Sequence, residues 1–463
     1  MNLHKGNSDD PALIAPDGVV SYGELNAYLA MCIANFRQAG IGPDCRVALY
    51  QPSSQRYIIS MLALIEMGAV ACPISTRIPE SNLQEALDHV QADAVFYADR
   101  GLPVGNSNVG SILFDAMEVS IIGEESDAET PALDRWATII STSGSSGTPK
   151  TAVHSFANHI ESARASNKNI ALRPDNRWLL SLPLFHVGGL GVVFRCLQAG
   201  AAIVLPIPDT DLENTVTNSS LTHISLVSTQ LYRLLQSNEA TAKLANMKAV
   251  LMGGSAMPPQ LIESAISKNI PIHTSYGMTE MTTQITCTRP GATATTLRSS
   301  GSPLIPDNCR IGDHSEIQVT GPTLFQGYLQ RGHLALPLTQ DEWFATGDRG
   351  AFDDEGHLHV FGRTDNLFIS GGENIQPEEI EDALCQLEGI LQAVVIPIEN
   401  EEFGHRPVAF IRTEMDWNED KFKSKLRETL SGFKIPDQIL PWPEDAMAEG
   451  MKIDRKHFYD FLG

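Results

Sequence analysis

The sequence has little positive charge for its size. Its 463 residues include 33 lysines and arginines against 56 aspartates and glutamates, which gives a formal net charge of −23 at pH 7. A protein whose main partner is a nucleic acid shows a basic face, so this balance argues against that class. Any anionic substrate must instead be met by local basic groups or by backbone dipoles.

Paired cysteines are also missing. The seven cysteines form no Cys-x-x-Cys pair, and their number is odd. This pattern argues against a zinc site or a disulfide framework and favours a reducing compartment, so we expect a cytoplasmic protein. The cysteines stand at Cys32, Cys45, Cys72, Cys196, Cys287, Cys309 and Cys385.

No run of residues has the apolar character of a membrane span. The most apolar stretch, residues 57–74, contains Glu66, Gly68 and Pro73, and we interpret it as a buried helix that leads into a strand. The first residues are polar and lack the apolar segment of a signal peptide. Apolar residues make up 42% and charged residues 19%, which is typical of a globular chain with a sizeable core.

Strand-like and helix-like runs alternate over residues 1–130 and again over 177–290. This alternation predicts a mostly parallel sheet covered by helices. From about residue 300, short alternating runs indicate β-hairpins, and the last hundred residues have the composition of a separate α+β domain. We therefore predict an α/β protein with a large N-terminal domain of helix-covered sheets, a β-rich subdomain and a small C-terminal α+β domain.

Local signals predict individual elements. Ser21 and Glu24 have the spacing of a capping box, Gly68 is placed to end a helix, and Ser155 is a candidate N-cap. Helices are expected over 56–67, over 155–165, from 377 to 384, and over 418–430. Strands are expected over 46–50, 69–72, 136–140, 177–183, 201–205, 223–227, 248–252, 316–319, 393–397 and 407–411.

The stretch at 140–150 combines two glycines, six hydroxyl side chains, a proline and a lysine. Such a loop suits a polyphosphate, because glycines let backbone N–H groups approach, hydroxyls donate hydrogen bonds and Lys150 neutralises charge. The alternative is a flexible surface loop, which is what clusters of this composition usually form. The spacing does not match the phosphate loop of P-loop NTPases.

Three predicted strands end in polar or glycine-bearing loops. The strand at 177–183 runs into a loop with His186, the strand at 248–252 ends in Gly253-Gly-Ser255, and residues 270–273 lead into a loop over 274–280. In open α/β sheets, ligands bind off the carboxyl ends of the strands. We expect these loops to share one crevice with residues 140–150.

Five motifs in a fixed order carry a resemblance to a known family. The stretch at 140–150 is followed by Tyr276-Gly-Met-Thr-Glu280, Thr346-Gly-Asp348, Gly362-Arg-Thr-Asp365, Gly371-Gly-Glu-Asn374 and a late lysine. The chain resembles, over essentially its whole length, the adenylate-forming enzymes, which include acyl- and aryl-CoA synthetases, luciferases and adenylation domains. Four segments, at 181–189, 228–235, 370–379 and 403–409, are most similar to the o-succinylbenzoate–CoA ligase branch of that superfamily.

The resemblance implies an ATP site, with ATP, Mg²⁺ and coenzyme A as co-substrates and cofactors. Thr279 would bind the α-phosphate and Glu280 would help to hold Mg²⁺. Asp348 would accept hydrogen bonds from the ribose, and Arg363 would contact ribose or phosphate. The implied phosphate loop and adenine slot comprise Thr142, Ser143, Gly144, Ser145, Ser146, Gly147, Thr148 and Lys150, and Gly253, Gly254, Ser255, Ser275, Tyr276 and Gly277.

The family also implies a mobile C-terminal domain. It would follow a hinge at 363–365, with a large domain over 1–362 and a small one over 366–463. Lys452 is the expected adenylation lysine, with Lys434 and Lys456 as rivals, because the motif here has one residue between Gly450 and the lysine. Asp365 would be the pivot of the hinge. Gly371, Gly372 and Glu373 would enter the thiol channel for the second half-reaction.

The residues that recognise the acid would follow the His186 loop in the sequence. o-Succinylbenzoate keeps a second carboxylate that is not activated, so its pocket needs a cation or strong donors. Arg195 is the candidate cation, although a lone arginine in an apolar run is more often structural. His186 would gate the thiol channel. Further pocket candidates are Ser228, Thr229, Gln230, Ser302 and Pro303.

Other functions stay open on the sequence alone. The same chemistry could act on another aryl or medium-chain acid, or load a carrier protein, although the chain has no attached carrier domain. A non-catalytic scaffold is a third alternative, against which Lys150, Glu280, Asp348 and Lys452 all argue. The expected partners are small molecules rather than nucleic acid or membrane, and a homo-oligomer is an open possibility.

Overall fold

The fold is known from a computed structural model. It describes residues 3–78, 80–97, 110–113, 132–142, 150–254, 257–330, 332–413, 418–443 and 455–462. Within these ranges the protein has two large sheets with helices on their faces, a four-stranded antiparallel sheet, and a smaller α+β part. The predicted α/β architecture with a small C-terminal α+β part is confirmed.

The elements follow one another in three stretches. The first holds β1 (Pro11–Ala15), β2 (Gly18–Ser21), α1 (Tyr22–Gln38), β3 (Arg46–Leu49), α2 (Gln55–Glu66), β4 (Val70–Pro73), α3 (Leu83–Val90), β5 (Ala94–Tyr97), β6 (Gly110–Leu113) and β7 (Trp136–Thr142). The second holds β8 (Lys150–Ser155), α4 (Phe156–Asn169), β9 (Arg177–Leu179), α5 (Val187–Ala199), β10 (Ala202–Val204), α6 (Leu212–Asn218), β11 (His223–Leu226), α7 (Ser228–Leu234), α8 (Asn238–Ala245), β12 (Ala249–Met252), α9 (Pro259–Ser267), β13 (Ile272–Gly277) and β14 (Gln284–Cys287). The third holds α10 (Ala294–Leu297), β15 (Ser302–Pro303), β16 (Cys309–Ile311), β17 (Glu316–Val319), β18 (Gly327–Gln330), β19 (His333–Ala335), β20 (Phe344–Phe352), β21 (Leu358–Arg363), β22 (Phe368–Ser370), β23 (Glu373–Ile375), α11 (Pro377–Cys385), β24 (Ile390–Asn400), β25 (Gly404–Thr413), α12 (Glu419–Leu426) and β26 (Gln438–Pro441).

Both large sheets have a parallel centre; the nine-stranded sheet has an antiparallel pair at each edge, and the eight-stranded sheet has antiparallel strands at one edge only. The nine-stranded sheet has the order β15-β14-β13-β12-β11-β9-β10-β1-β2, and its strands from β13 to β1 are parallel. The eight-stranded sheet has the order β19-β18-β8-β7-β4-β3-β5-β6, with β7 to β6 parallel. Helices α1, α2, α4 and α5 share one apolar core with strands of both sheets, so they form the layer between them. The parallel order brings the carboxyl ends of β9, β11, β12 and β13 to one edge.

Two smaller units complete the chain. Strands β16, β17, β20 and β21 form an antiparallel sheet, which is the predicted β-rich subdomain, and its core also includes Met281 and Ile285. Strands β24, β25 and β26 pack against α11 and α12. The apolar clusters of the first unit reach Val360, and those of the second begin at Phe368. The described apolar cores therefore separate between Val360 and Phe368.

Several local predictions are confirmed by the hydrogen bonds. The Glu24 N–H donates to Ser21 Oγ at 3.2 Å and the Ser21 N–H donates to the Glu24 carboxylate at 2.8 Å, so the capping box is present. Ser155 caps α4 in the same way. The apolar stretch at 57–74 is a buried helix that leads into β4, and Gly68 follows the end of that helix. Among the helices of the described ranges, none has the length and apolar character to cross a bilayer.

Several boundaries differ from the prediction. The strand expected over 177–183 ends at Leu179. Residues 274–277 were expected to form a loop, but they continue β13, because Ser275 pairs with Cys287 and Tyr276 with Thr286 of β14. The helix predicted over 418–430 ends at Leu426. Its continuation tightens into bonds between residues three apart, such as the Thr429 N–H to the Leu426 carbonyl at 3.1 Å, which is a common way for a helix to end.

Candidate active site

The predicted phosphate loop closes an antiparallel hairpin. Thr142 ends β7, Lys150 begins β8, and the two residues face each other across the pair. The Thr142 hydroxyl also donates to the Lys150 carbonyl at 3.3 Å. The two ends of the loop are therefore held next to each other. The rest of the prediction, at Ser143, Gly144, Ser145, Ser146, Gly147 and Thr148, lies outside the described residues.

A tyrosine joins Lys150 to Glu280. Tyr328 pairs with Ala152 of β8, and its ring centroid lies 5.0 Å from Lys150 Nζ. Its hydroxyl donates to Glu280 Oε1 at 2.6 Å. Burial raises the pKa of the Tyr328 phenol, and the charge of Glu280 raises it further, so the group stays a neutral donor. Tyr328 therefore contacts the Lys150 ammonium with its ring and the Glu280 carboxylate with its hydroxyl.

The turn that carries Thr279 and Glu280 is fixed from several sides. The Thr279 carbonyl accepts from the Thr282 N–H at 2.9 Å, and the Phe325 N–H donates to the Glu280 carbonyl at 2.8 Å. His154 Nε2, from β8, lies 2.7 Å from the Thr279 carbonyl oxygen. Both candidate ligand side chains thus sit on a turn that is bonded to neighbouring elements.

The chemistry of the site suits magnesium. Among the residues that the structure describes, no group of three or more histidine, cysteine, aspartate or glutamate side chains could hold a metal ion. Glu280 is linked through the Tyr328 hydroxyl to the Lys150 end of β8. Mg²⁺ usually keeps several waters and binds through one or two carboxylates together with substrate phosphates, so this donor set fits it.

The candidate adenine slot lies at the adjoining ends of β12 and β13. Met252 pairs with Thr274, and the Ser275 hydroxyl donates to the Met252 carbonyl at 2.7 Å. A Cβ atom added to Gly253 would stand 3.7 Å from Ser275 Oγ, so the loop that starts with Gly253 and Gly254 lies beside Ser275. Ser255 falls in a gap of the described ranges. The expectation that these strand ends share one edge is met.

Gly277 has a structural reason for its place in the motif. A Cβ atom there would stand 2.0 Å from the Thr283 carbonyl oxygen, so only glycine lets the chain turn so tightly. The Met278 N–H donates to that same oxygen at 3.0 Å. The close approach brings Thr283, whose hydroxyl lies 3.4 Å from Arg195 Nη2, next to the turn with Glu280.

The candidate ribose ligand is held by two other predicted site residues. Asp348 Oδ2 accepts from the Tyr276 hydroxyl at 2.6 Å, and Asp348 Oδ1 accepts from Arg363 Nη1 at 3.3 Å. Arg363 Nη2 also donates to Asp365 at 3.2 Å. Burial raises the pKa of the Tyr276 phenol, and the charge of Asp348 adds to this, so the phenol remains a donor. The structure brings Tyr276, Asp348, Arg363 and Asp365 together.

Arg195 is a buried cation with no carboxylate partner among the residues that the structure describes. Its exposed fraction is 2%, and no ion pair within the described part of the chain includes it. Its guanidinium lies over the Trp178 ring at 5.4 Å, Nη2 lies 3.4 Å from Thr283 Oγ1, and Nε has no partner. Burial lowers the pKa of Arg195 to about 10, so it is still charged at neutral pH. Such a charge is ready to receive an anion.

The remaining pocket candidates lie around the same sheet edge. His186 precedes α5 after β9, and Ser228 and Thr229 begin α7 directly after β11, which is the neighbour of β9. Gln230 caps the same helix, because its side chain accepts from the Val227 N–H at 3.0 Å. Ser302 and Pro303 form β15. Ser302 lines a surface cavity of about 270 Å³ whose other walls do not include the candidates named above.

The predicted channel loop is a tight hairpin in the small unit. Gly371 and Gly372 connect β22 to β23 with φ of 59° and 87°, the left-handed conformations that a two-residue hairpin turn needs. The Gly371 N–H donates to the Phe403 carbonyl at 2.8 Å, which fixes the hairpin on its own unit. Glu373 begins β23 opposite Ser370.

The candidate lysine itself is not placed. Lys452 and the side chain of Lys456 lie outside the described residues. Lys434, the other rival, donates to both carboxylate oxygens of Glu379 at 2.6 and 2.7 Å. That ion pair engages Lys434 within the small unit, which leaves Lys452 as our prediction.

The sequence analysis did not identify three residues of this candidate site. Tyr328, His154 and Thr283 lie in short apolar or hydroxyl-rich runs that look like ordinary core. Each contacts a residue that the sequence did single out: Glu280, Thr279 and Arg195 respectively. Their signal is spatial, since each partner is distant in sequence, so no local pattern could have found them.

Comparison with known proteins identifies the family of the chain. The family described as AMP-binding enzyme matches residues 3–329, and the AMP-binding enzyme C-terminal domain matches residues 379–447. The 2-succinylbenzoate–CoA ligase of Haemophilus influenzae is 33% identical over 98% of this chain and 96% of its own length.

Solved structures give the same result. An Escherichia coli MenE variant with bound OSB-AMS is 31% identical with a TM-score of 0.84, covering 98% of this chain and 96% of that one. The o-succinylbenzoate coenzyme A synthetase of Bacillus subtilis, in complex with the acyl-adenylate intermediate OSB-AMP, is 27% identical with a TM-score of 0.81, covering 94% and 92%. The same synthetase in complex with ATP and a magnesium ion is 28% identical with a TM-score of 0.80, covering 94% and 93%. On the full-length agreement of its sequence, fold and motif order, the chain belongs to the AMP-binding enzyme family.

Proposed function

We propose that this chain is a 2-succinylbenzoate–CoA ligase that serves menaquinone biosynthesis. It converts 2-succinylbenzoate, ATP and coenzyme A into 2-succinylbenzoyl-CoA, AMP and diphosphate through an acyl-adenylate, with Mg²⁺ as cofactor. The printed names of its full-length relatives support this activity. We place the enzyme in the cytoplasm, where its seven free cysteines are suited to a reducing environment.

The observation that carries the choice of acid is the buried guanidinium of Arg195, which has no carboxylate partner among the described residues. A buried cation costs several kcal/mol of folding free energy unless a partner compensates it, so a site that keeps one has a use for it. o-Succinylbenzoate enters with a second carboxylate that is not activated. This carboxylate is the partner that Arg195 lacks among the described residues, whereas a benzoate or a fatty acid would leave the guanidinium unpaired.

The first half-reaction joins two anions, so charge neutralisation is its main requirement. The acid carboxylate attacks the α-phosphorus of ATP, and diphosphate leaves. Lys150 stands beside the loop that receives the β- and γ-phosphates, and Thr279 donates to the α-phosphate. Mg²⁺, when bound at Glu280, supplies a positive charge for the phosphate oxygens. Asp348 holds the ribose, and Lys452 arrives from the small domain.

Tyr328→Phe tests the link between Lys150 and Glu280. The change removes the hydroxyl that orients the Glu280 carboxylate and keeps the ring under Lys150. A hydrogen bond to a charged group contributes about 1.5–3 kcal/mol, so kcat/KM for Mg-ATP should fall roughly 10- to 100-fold. Steady-state kinetics over a Mg²⁺ series measures this. Tyr459→Phe, at an exposed tyrosine of the last helical segment, is the control, and an equal fall in both variants would contradict the assignment.

The second half-reaction needs another arrangement of the two domains. We propose a large domain over 1–362, a hinge at 363–365 and a small domain over 366–463. Rotation about Asp365 withdraws Lys452 and brings Gly371, Gly372 and Glu373 to the thiol channel beside His186. Coenzyme A thiolate then attacks the acyl carbon, and AMP leaves.

Asp365→Pro tests the hinge. Proline fixes φ near −65° and removes the N–H, so the turn at 364–366 loses the freedom that a rotation needs. Thioester formation from supplied acyl-adenylate should fall at least about tenfold more than adenylation does. Asp365→Ala is the matched control, because it removes the ion pair with Arg363 and leaves the backbone free. Equal losses in both half-reactions of the proline variant would count against two functional states.

A panel of acids tests the substrate. Diphosphate release should be fastest with 2-succinylbenzoate, and much slower with benzoate, cinnamate or octanoate. A preference for a monoacid would replace our choice by another CoA ligase. Acyl transfer to a protein-bound pantetheine in preference to coenzyme A would make the chain a carrier-loading module. No ATP-dependent diphosphate release with any acid would favour a non-catalytic scaffold.

A further inference from the structure

A fully buried histidine joins two parts of the nucleotide site. His154 lies on β8, four residues after Lys150, and its exposed fraction is 0%. Its Nε2 lies 2.7 Å from the Thr279 carbonyl oxygen on the turn that also carries Glu280. Because a carbonyl oxygen only accepts, Nε2 must carry the proton of this bond. The histidine therefore links the strand that follows the phosphate loop to the turn on the opposite side of the site.

A threonine hydroxyl connects His154 to a second buried histidine. With Nε2 protonated, Nδ1 of His154 is an acceptor, and Thr138 Oγ1 of β7 lies 3.5 Å from it. The same hydroxyl lies 2.8 Å from His159 Nε2. His159 is in turn stacked on Phe194, with ring centroids 4.3 Å apart. His154 therefore lies between the Thr279 carbonyl on one side and the Thr138–His159 pair on the other.

The imidazoles of His154 and His159 are neutral at neutral pH. Burial lowers the pKa of His154 to about 4 and that of His159 well below its usual value. Neither ring can supply a positive charge to a phosphate at neutral pH. Their part is therefore geometric rather than electrostatic.

The turn that His154 contacts needs support. Thr282, which closes it, has a φ of 65°, a left-handed conformation that a β-branched residue adopts only under constraint. The Thr282 N–H and His154 are the two donors to the Thr279 carbonyl. Loss of the histidine would leave that carbonyl with the strained bond alone. The turn would then be free to shift relative to β8, and a shift of about 1 Å at a reacting group can lower a rate roughly 100-fold.

We propose that His154 is a positioning residue for adenylation, which sets the distance between the Thr279–Glu280 turn and the phosphate-loop hairpin through the Thr279 carbonyl. This inference rests on the proposed function. The competing explanation is an ordinary core histidine, whose loss would lower the stability of the protein and affect both substrates alike.

Three substitutions at one position separate the two explanations. In His154→Gln, the amide nitrogen occupies the place of Nε2 and can still donate to Thr279, whereas in His154→Asn the shorter amide reaches only the place of Nδ1. His154→Leu removes all donors. The Leu and Asn variants should lose roughly 10- to 100-fold in kcat/KM for ATP in the diphosphate-release assay, with KM for the acid unchanged. The Gln variant should stay within about threefold of the wild type.

His273→Leu is the matched control. His273 is also buried and also bonds a carbonyl, since its Nδ1 lies 3.0 Å from the Thr288 oxygen. Its loss should lower the melting temperature and leave kcat/KM for ATP within about threefold of the wild type. Melting temperatures of all variants show how much of each effect is due to stability.

Three outcomes would overturn the positioning role. They are equal activity of the Gln, Asn and Leu variants, an equal rise in KM for both substrates, and the same ATP-specific loss in His273→Leu. Should Leu fail to fold, the comparison of Gln with Asn decides alone. If the wild type adenylates no acid, the proposed function fails instead. ATP affinity by calorimetry then tests the positioning role, which requires weaker binding in Asn than in Gln.

Discussion

Lys452→Ala is expected to slow adenylation by roughly 10²- to 10³-fold while thioester formation from supplied acyl-adenylate continues. The side chain would donate to the oxygens between the acid and the α-phosphate, where negative charge is concentrated in the transition state. Removal of one preorganised donor of this kind costs about 2.7–4 kcal/mol of barrier. The second half-reaction takes place after the lysine has left, so it keeps its rate. Diphosphate release measures the first step, and coenzyme-A-dependent loss of synthetic acyl-adenylate measures the second.

The rival lysines supply the controls. Lys434 is held by Glu379, so Lys434→Ala should change adenylation only a few-fold through the loss of that ion pair. Lys456→Ala should behave in the same way. If either variant lost adenylation and Lys452→Ala kept it, the assignment of the lysine would be wrong, and with it our alignment of the motif around Gly450.

Arg195→Gln is expected to raise KM for o-succinylbenzoate by at least about 100-fold and to leave KM for ATP unchanged. Without the guanidinium, the ring carboxylate of the substrate would be buried beside Trp178 and Thr283 with no cation near it. Removing one partner of a buried ion pair costs about 3–5 kcal/mol, which sets the size of the effect. Initial rates over a matrix of acid and ATP concentrations separate the two Michaelis constants.

A substrate analogue makes this test sharper. 4-Oxo-4-phenylbutanoate keeps the carboxylate that is activated and lacks the ring carboxylate. The wild type should bind it as poorly as Arg195→Gln binds o-succinylbenzoate, and the variant should lose little further affinity for it, because the two deletions remove the same contact. Additive effects of the two changes, or an equal rise in KM for ATP, would show that Arg195 does not contact the acid. Arg298→Gln, at an exposed ion pair with Glu263, is the control substitution.

Arg195→Gln should also stabilise the protein in the absence of substrate. Burial lowers the pKa of Arg195 to about 10, below its value in the unfolded chain, so the folded state disfavours the charge by on the order of 3 kcal/mol. Above pH 10 the unfolded chain binds more protons than the folded protein, and the penalty is therefore fully present below pH 10 and relieved as the pH rises above it. At pH 7, Arg195→Gln removes it, and the melting temperature of the unliganded variant should rise. If Arg195 instead stabilised the folded protein, the melting temperature of Arg195→Gln would fall.

The sequence was informative wherever a local pattern has one physical solution. The capping box at Ser21, the buried strand from Trp136, and the N-cap at Ser155 all depend on neighbours within a few residues. The alternation of strands and helices predicted the parallel sheets, and the polar loops after the strands predicted which strand ends would meet. Asp348, Tyr276 and Arg363 come from three separate motifs, and their side chains form one hydrogen-bonded cluster.

Pairing across long separations could not be predicted in this way. Residues 274–277 look like a loop because they are small and polar, yet β14 supplies an antiparallel partner that makes them a strand. Tyr328 and His154 have the appearance of core residues, and only the register of β8 with β7 and β18 brings them to Glu280 and Thr279. That Arg195 has no carboxylate partner is also a property of the fold, because the sequence shows only that it lies in an apolar run.

The most direct test of the account follows the oxygen of the acid. With o-succinylbenzoate labelled with ¹⁸O in its aliphatic carboxylate, together with ATP, Mg²⁺ and coenzyme A, the products should be the thioester, diphosphate and AMP in equal amounts. Attack by the carboxylate on the α-phosphorus forms a C–O–P bridge, and the thiolate then breaks the C–O bond, so one labelled oxygen must appear in AMP. Mass spectrometry of the nucleotide decides. Unlabelled AMP, or ADP with the label in orthophosphate, would contradict an acyl-adenylate and with it the function that we propose.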